Sequence, residues 1–239
     1  MNTKMMTAAV VSVSALAFSG NVGAQVQVQD KDAVAKEASE KDFTPATHAV
    51  ELTIGTGYEQ GVGKFSSDHP SLTDIGEAGG AVQVGVGYRI IPQLTLGLYA
   101  SGAMFGRGGQ VDSSAKLYSS AAGIQTDWHF LPGGHELDPW VSLSSGWWGY
   151  WIDQNEGKTS VQGMELAKLQ VGVDYRIDRA VSISPVLGAD LSAFFSQSTP
   201  ESGGFRNISN PQVNTFVFAG MMGRFDIPTQ ANHSEVAAR

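Results

Sequence analysis

Residues 84–90 read VGVGYRI, and residues 171–177 repeat this segment as VGVDYRI. In both copies apolar side chains alternate with glycine, polar or charged residues, which is the two-residue period of a β-strand with one apolar face. Two more segments keep the pattern, IQTDWHF from residue 124 and AGMMGRF from residue 219. Each copy has Arg or His at its sixth position and Ile or Phe at its seventh. The four copies begin 40, 47 and 48 residues apart, an interval that holds two strands. This spacing predicts a repeated β-hairpin.

The same alternation extends over eight runs, each long enough for a strand. The runs cover residues 50–58, 80–90, 93–105, 121–130, 140–151, 166–177, 180–195 and 213–227. Pro185 lies inside the seventh run and has no N–H for a sheet hydrogen bond, so we expect a bulge or an outward-facing position there. Eight alternating runs in a chain of 239 residues predict an all-β fold.

The predicted connections alternate in length. Short turns follow the even-numbered runs, at residues 91–93 and 178–180, with a longer one at 131–139. Longer polar loops follow the odd-numbered runs, at residues 59–79, 106–116, 152–163 and 196–212. Short turns at one end and long loops at the other are typical of an antiparallel up-and-down transmembrane β-barrel in a bacterial outer membrane. A soluble sandwich or barrel stays open as the alternative.

Composition and the termini agree with an exported β-protein. Charged residues make up 16% of the chain, below the roughly 25% of soluble domains. The net charge of −8 argues against nucleic acid as a partner, and the absence of cysteine excludes disulfides and thiolate chemistry. Residues 1–24 have the pattern of a cleaved signal peptide. We expect a polar periplasmic linker at 25–46, the barrel at 47–227 and a polar periplasmic tail at 228–239.

The less apolar face of the strands carries mostly Gly, Ser and Thr with isolated charges, which suits a crowded lumen better than a solvated exterior. A charge facing lipid near mid-bilayer costs about 2–4 kcal/mol, so the apolar face is expected to meet the membrane. Buried charges need partners, and the predicted arrangement is therefore a structural ion-pair network inside a lumen filled by side chains. The predicted lumen residues are Glu51, Arg89, Asp127, His129, Lys168, Asp174, Arg176, Asp190 and Arg224.

Aromatic residues are expected at both membrane–water interfaces, where Trp and Tyr are enriched. Three of them occupy the fifth position of the repeated segment, beside the short turns, and a second group precedes a long loop. The predicted interfacial aromatics are Tyr88, Trp128 and Tyr175 at one end and Trp147, Trp148, Tyr150 and Trp151 at the other. Binding of lipopolysaccharide by the Trp-rich group is an open alternative to a simple girdle.

With these features the chain resembles the small eight-stranded outer-membrane barrels of Gram-negative bacteria, the OmpA/OmpX-like group. The resemblance covers about residues 47–227 and depends on the glycine-alternating strands, the YRI-type strand ends and the final GRFDI. It implies a barrel in the cell outer membrane that the barrel-assembly machinery inserts. The chain departs from the group because its last barrel aromatic, Phe225, is followed by a polar tail.

The function expected from these observations is structural, or an interaction with partners through the extracellular loops. A narrow diffusion channel is the first alternative and an enzyme acting on lipid A is the second. We expect no enzyme, cofactor or metal site, because the five histidines are scattered and lie at no recognisable motif spacing. Expected partners are outer-membrane lipid and lipopolysaccharide, with no nucleic acid and a monomeric state.

Overall fold

A computed structural model describes residues 43–66, 70–155 and 157–229. The predicted signal peptide, most of the predicted linker and nearly all of the predicted tail lie outside these ranges. The described elements are β1 (Ala49–Val62), α1 (Leu72–Ile75), β2 (Gly76–Ile91), β3 (Leu94–Arg107), β4 (Lys116–His129), β5 (Leu137–Gln154), β6 (Gly157–Arg176), β7 (Val181–Ser198), β8 (Arg206–Asn207) and β9 (Val213–Pro228). Within these ranges no helix has the length and apolar character needed to cross a membrane.

The sheet closes on itself. Each strand from β1 to β7 pairs antiparallel with the next, and β9 pairs with both β7 and β1. The closing pair runs from Ala49 opposite Pro228 to Val62 opposite Thr215. The two-residue strand β8 only adds to the outer end of β7. The predicted eight-stranded antiparallel barrel is confirmed.

The strands alternate between a lipid-like outer surface and a packed interior. Large apolar side chains are exposed on all eight barrel strands, for example Ile54 at 60%, Leu98 at 57% and Leu187 at 61%. Their sequence neighbours point inward and are buried. Water-exposed apolar surface on this scale is unfavourable, whereas a bilayer accepts it, so the outer surface forms an apolar belt for lipid.

One predicted loop is wrong. Residues 152–163 were expected to form a long polar loop, but β5 and β6 stay paired as far as Gln154 opposite Gly157. This segment is therefore a strand hairpin that extends the wall of the barrel. Its polar residues, including Asp153 and Lys158, reflect its position near the rim and not a lack of sheet structure.

Pro185 points outward and interrupts the strand pairing only toward β6. It lies opposite Met221 in a continuous pairing of β7 with β9. Toward β6 the pairing passes from Gly172 opposite Val186 to Tyr175 opposite Ile183, and the residues between form no ladder pair. The missing N–H of proline explains this local interruption.

Gly123 and Gly146 face each other across β4 and β5, where the two backbones approach closely. A Cβ atom added to Gly123 would lie 2.1 Å from the Ser145 carbonyl oxygen and 2.7 Å from the Gly146 Cα. Backbone atoms cannot move aside as a flexible side chain can, so this contact requires glycine.

We expect Gly123→Val to destabilise the barrel by about 1–3 kcal/mol, the usual cost of overpacking a close contact. The measurement is the urea midpoint of unfolding in detergent micelles. Gly133→Val is the matched control, because a Cβ added at Gly133, in the connection between β4 and β5, has no atom within 4 Å apart from its own chain neighbours. Equal midpoints for the two variants would contradict the close contact.

Candidate functional site

The interior of the barrel contains all nine predicted lumen residues, and none of them is more than 5% exposed. Seven of them gather near the short-turn end, where β1, β2, β4, β6 and β9 bring them together. Lys168 and Asp190 lie farther along the lumen, opposite each other on β6 and β7.

Arg224 is the centre of the charge network near the short turns. Its Nη1 atom lies 2.7 Å from Glu51 Oε1 and 3.0 Å from Asp127 Oδ2. Its Nε atom lies 3.4 Å from Asp174 Oδ1, and its guanidinium lies 4.1 Å from the centre of the Trp140 ring. One cation thus joins carboxylates from three strands and stacks on an aromatic from a fourth.

Two more arginines extend the network. Arg89 pairs with Glu51 and lies 3.1 Å from Asp226 Oδ1. Arg176 lies 3.4 Å from Asp138 Oδ2 and 3.7 Å from Asp226 Oδ2. The three arginines therefore share five carboxylates, which is the pairing that buried charges require.

Asp138 and Asp226 belong to this network but were absent from the predicted set. The predicted fifth run begins at Trp140, three residues after the start of β5 at Leu137, and this places Asp138 in the predicted turn. Asp226 has the same strand parity as Arg224, so alternation along β9 could have placed it in the lumen. Strand parity is the signal that identifies both.

His129, Asp138 and Asp174 present potential metal-ligand atoms within 4.8 Å of one another. His129 Nδ1 lies 2.8 Å from Asp138 Oδ2. Arg176 contacts Asp138 and Arg224 contacts Asp174, so the charge of both carboxylates is already compensated. Ser184 donates to Asp174 and not to the histidine, an arrangement that differs from a Ser–His–acid triad. The cluster is best described as part of the ion-pair network, and the expectations of no metal and no catalysis stay predictions.

A second polar layer lies farther from the short turns. Lys168 Nζ donates to Gln83 Oε1 at 2.9 Å and lies 4.9 Å from the centre of the Tyr99 ring. Tyr99 donates to Glu165 Oε1 at 2.5 Å. Glu165 is fully buried and was not predicted, because the sixth run was started one residue after it. A bulge between Glu165 and Ala167 also breaks the simple alternation there.

The outer part of the lumen is filled by apolar and aromatic side chains, a layer that strand alternation does not predict. Strands provide Phe105, Trp148, Tyr150, Phe194 and Phe216, all buried. Segments between the strands add Phe65, Leu72, Ile75 and Ile208. Trp148 and Phe216 have ring centres 4.6 Å apart, and Phe65 meets Phe194 edge to face at 5.0 Å. We call this set the aromatic plug.

The prediction that Trp148 and Tyr150 lie at the membrane interface is wrong. Both are at most 2% exposed and belong to the aromatic plug. Side chains on a strand alternate between faces, so Trp147 and Trp151 on the outside require Trp148 and Tyr150 on the inside. The cluster of aromatics in the sequence hid this alternation.

The other predicted interfacial aromatics face outward. Tyr88, Trp128 and Tyr175 near the short turns are 42%, 43% and 50% exposed, and Trp147 is 40% exposed. Trp151 is partly covered because its ring stacks on Tyr118, with centres 5.4 Å apart. Tyr118 was not predicted. It lies ten residues from Trp128 on the same strand, which matches the 9–11 residues that a tilted strand needs to cross a bilayer.

The described geometry thus defines a closed transmembrane barrel with a packed interior. Outward-facing aromatic residues form a girdle at each end of its lipid-facing surface. Comparisons with known proteins agree at the level of the fold. No family model matches the chain, and no curated protein sequence matches it.

Among solved structures, the chain is similar to Neisserial surface protein A, with 12% identity and a TM-score of 0.51 over 74% of this chain and 96% of that one. It is also similar to the outer membrane protein AlkL, solved in lipid bilayers, with 10% identity and a TM-score of 0.48 over 90% and 99% of the two chains. A third match is outer membrane protein W of E. coli, with 14% identity and a TM-score of 0.44 over 75% and 98%. The fold is that of the small outer-membrane barrels, as the resemblance in the sequence implied.

We expect Arg224→Met to destabilise the folded barrel by about 3–5 kcal/mol, because it leaves Glu51, Asp127 and Asp174 without their shared cation. Urea midpoints in micelles measure the change. Arg206→Met, which removes an exposed arginine near the outer rim, is the control and is expected to stay close to the parent. A similar loss in both variants would contradict a central role for Arg224.

The five tryptophans are expected to form two classes that differ in how strongly a quencher in the lipid reduces their fluorescence. Trp128, Trp147 and Trp151 face outward, whereas Trp140 and Trp148 are at most 2% exposed inside the barrel. Variants that keep one tryptophan and carry Phe at the other four positions should show strong quenching by brominated lipid for the first class and weak quenching for the second. Strong quenching of Trp148 would overturn its assignment to the interior.

Proposed function

We propose that the protein is a non-conducting outer-membrane barrel that acts as a structural element and presents a preorganised surface at its extracellular end. One observation carries this proposal: the described side chains fill the lumen at every level. Ion pairs occupy the end with short turns, a polar layer follows, and the aromatic plug occupies the outer end.

The burial of the lumen side chains supports a closed interior. A water-filled channel would leave the charged groups along its wall accessible to solvent. Instead Arg89, His129 and Asp174 have no exposed surface, and Lys168 is 5% exposed. Eight strands enclose a space that side chains can fill, in contrast to the 16–18 strands of aqueous porins.

The extracellular end is the end with the longer connections, by the rule that outer-membrane barrels have short periplasmic turns. Its first and last connections are fixed to the barrel and to each other. Isolated bridges join Lys64 to Ser71 and Ser66 to Pro211, and the Gln212 amide donates to the Phe65 carbonyl at 3.2 Å. Phe65 and Ile208 are also buried in the aromatic plug. A surface held in this way loses little conformational entropy when a partner binds, which favours an interaction role.

Between β3 and β4 the connection is polar and locally ordered. Asp112 accepts hydrogen bonds from the Ser114 amide at 2.7 Å and from the Ser114 hydroxyl at 2.8 Å. These bonds hold the pKa of Asp112 below its usual value, so this exposed carboxylate stays ionised at neutral pH. It adds negative charge to the outer surface.

Planar bilayer recordings of the refolded full chain are expected to show no stable unitary openings. Heat-modifiable migration on a gel confirms that the sample is folded, and the same preparation must insert into liposomes. The interior variant Trp148→Ala tests the plug, because the two polar layers below it still fill the lumen and the variant should stay silent. Stable openings of the parent protein would favour the narrow diffusion channel and overturn the proposal.

A further inference from the structure

The outward side chains at the extracellular end of β4, β5 and β6 form rows set by the strand register. The outermost row is Lys116, Asp153 and Lys158, and the next is Tyr118, Trp151 and Ser160, of which Ser160 is buried. A third row holds Ser120, Gly149 and Gln162, and Trp147 lies below it. We call Lys116, Tyr118, Trp147, Trp151, Lys158 and Gln162 the lysine–aromatic patch.

Lys158 is positioned by aromatic rings. Its Nζ atom lies 5.0 Å from the centre of the Tyr118 ring and 5.8 Å from that of Trp151. The two rings are stacked at an angle of 16°, and Trp147 packs on Trp151 at 5.9 Å. Within the described part of the chain neither Lys158 nor Lys116 forms an ion pair, so both ammonium groups have hydrogen-bond donors to offer.

The polar third row distinguishes this part of the belt from the neighbouring strands β3 and β2. The row through Ser120 continues as Gly102 and then Val82 on β3 and β2, and Val82 is 59% exposed. The row through Tyr118 continues as Met104, which is 72% exposed. On the β3 and β2 side the belt is therefore apolar at the level where β4 and β6 present a hydroxyl and a carboxamide. On the other side, Ser196 of β7 lies opposite Gln162 and continues the polar row.

We propose that the lysine–aromatic patch binds a phosphorylated glycolipid of the outer leaflet, with the phosphate at Lys116 and Lys158 and the sugar headgroup along Tyr118 and Trp151. Ammonium groups form charge-assisted hydrogen bonds with phosphate oxygens. Trp and Tyr combine an apolar face with a polar edge and favour the headgroup level of a membrane. Ser120 and Gln162 can exchange hydrogen bonds with sugar hydroxyl and amide groups below the phosphate.

Asp153 lies between the two lysines and leaves the outermost row with a net charge of only +1. General attraction to an anionic lipid surface is therefore weak at this place. Recognition needs the rings and the polar row as well as the charges, which selects a phosphorylated sugar over a simple anionic phospholipid. This inference rests on the outer-membrane placement of the proposed function but not on the closed lumen.

The test uses the full chain refolded in zwitterionic detergent and titrated with lipid A that carries both phosphates, with bound lipid counted by native mass spectrometry. We expect the double variant Lys116→Gln with Lys158→Gln to bind about tenfold or more weakly, since each basic group near an anionic headgroup contributes substantially. Trp151→Leu should also weaken binding, by removing one face of the ring stack. The control Lys64→Gln with Arg107→Gln removes two exposed charges of the same end and should bind like the parent.

Lipid A without phosphates and phosphatidylglycerol are the two comparison ligands, and both should bind more weakly than diphosphorylated lipid A. Equal binding of phosphatidylglycerol would show an unspecific anionic surface and overturn the proposal. Equal loss in the control pair, or no loss in the lysine pair, would overturn it too. Heat-modifiable migration of every variant confirms folding, and the bilayer recordings decide the closed lumen separately.

Discussion

The pairing of β1 with β9 is the contact on which the rest of this structure depends. Lipid offers no hydrogen bonds, so any unpaired strand edge within the bilayer would cost several kcal/mol per backbone group. The fourteen paired positions from Ala49 to Val62 remove that edge. Once the sheet is closed, every strand has one face toward lipid and one toward the lumen, and the two-residue alternation of the sequence becomes a difference between outside and inside.

The interior is divided by chemistry along the barrel axis. Charged side chains collect near the short turns, where Arg89, Arg176 and Arg224 compensate the surrounding carboxylates. Aromatic side chains collect at the outer end, where close approach of rings such as Trp148 and Phe216 fills the same cross-section without charge. The outer connections are anchored in this aromatic layer, so the stability of the barrel and the shape of its extracellular surface have a common origin.

Sequence alternation was sufficient to predict the strand number, the closure and the inward position of all nine predicted lumen residues, because period two is imposed by backbone geometry. Prediction from alternation failed where other features determine the position of a side chain. The interfacial prediction for Trp148 and Tyr150 is wrong because it follows the enrichment of aromatics at interfaces, whereas strand parity places both side chains in the lumen. Glu165 was missed because a bulge shifts the register beside it. The aromatic plug was missed because Phe65 and Ile208 come from connecting segments, whose packing is tertiary and has no periodic signal. The hairpin between Gln154 and Gly157 resembles a loop in sequence, because residues of a strand above the lipid are as polar as those of a loop.

Arg224 on β9 and Glu51 on β1 are 173 positions apart in the chain and belong to the last and the first strand of the barrel. Their ion pair therefore crosses the seam of the barrel, and Asp226 and Arg89 tie the same seam to β2. In an open sheet Arg224 would lack Glu51 and Asp226 would lack Arg89, whereas the pair of Arg89 with Glu51 joins the adjacent strands β2 and β1 and does not depend on closure. Closure of the wall therefore also completes the charge pairing of the lumen, and both pairs match the register in which β1 and β9 join.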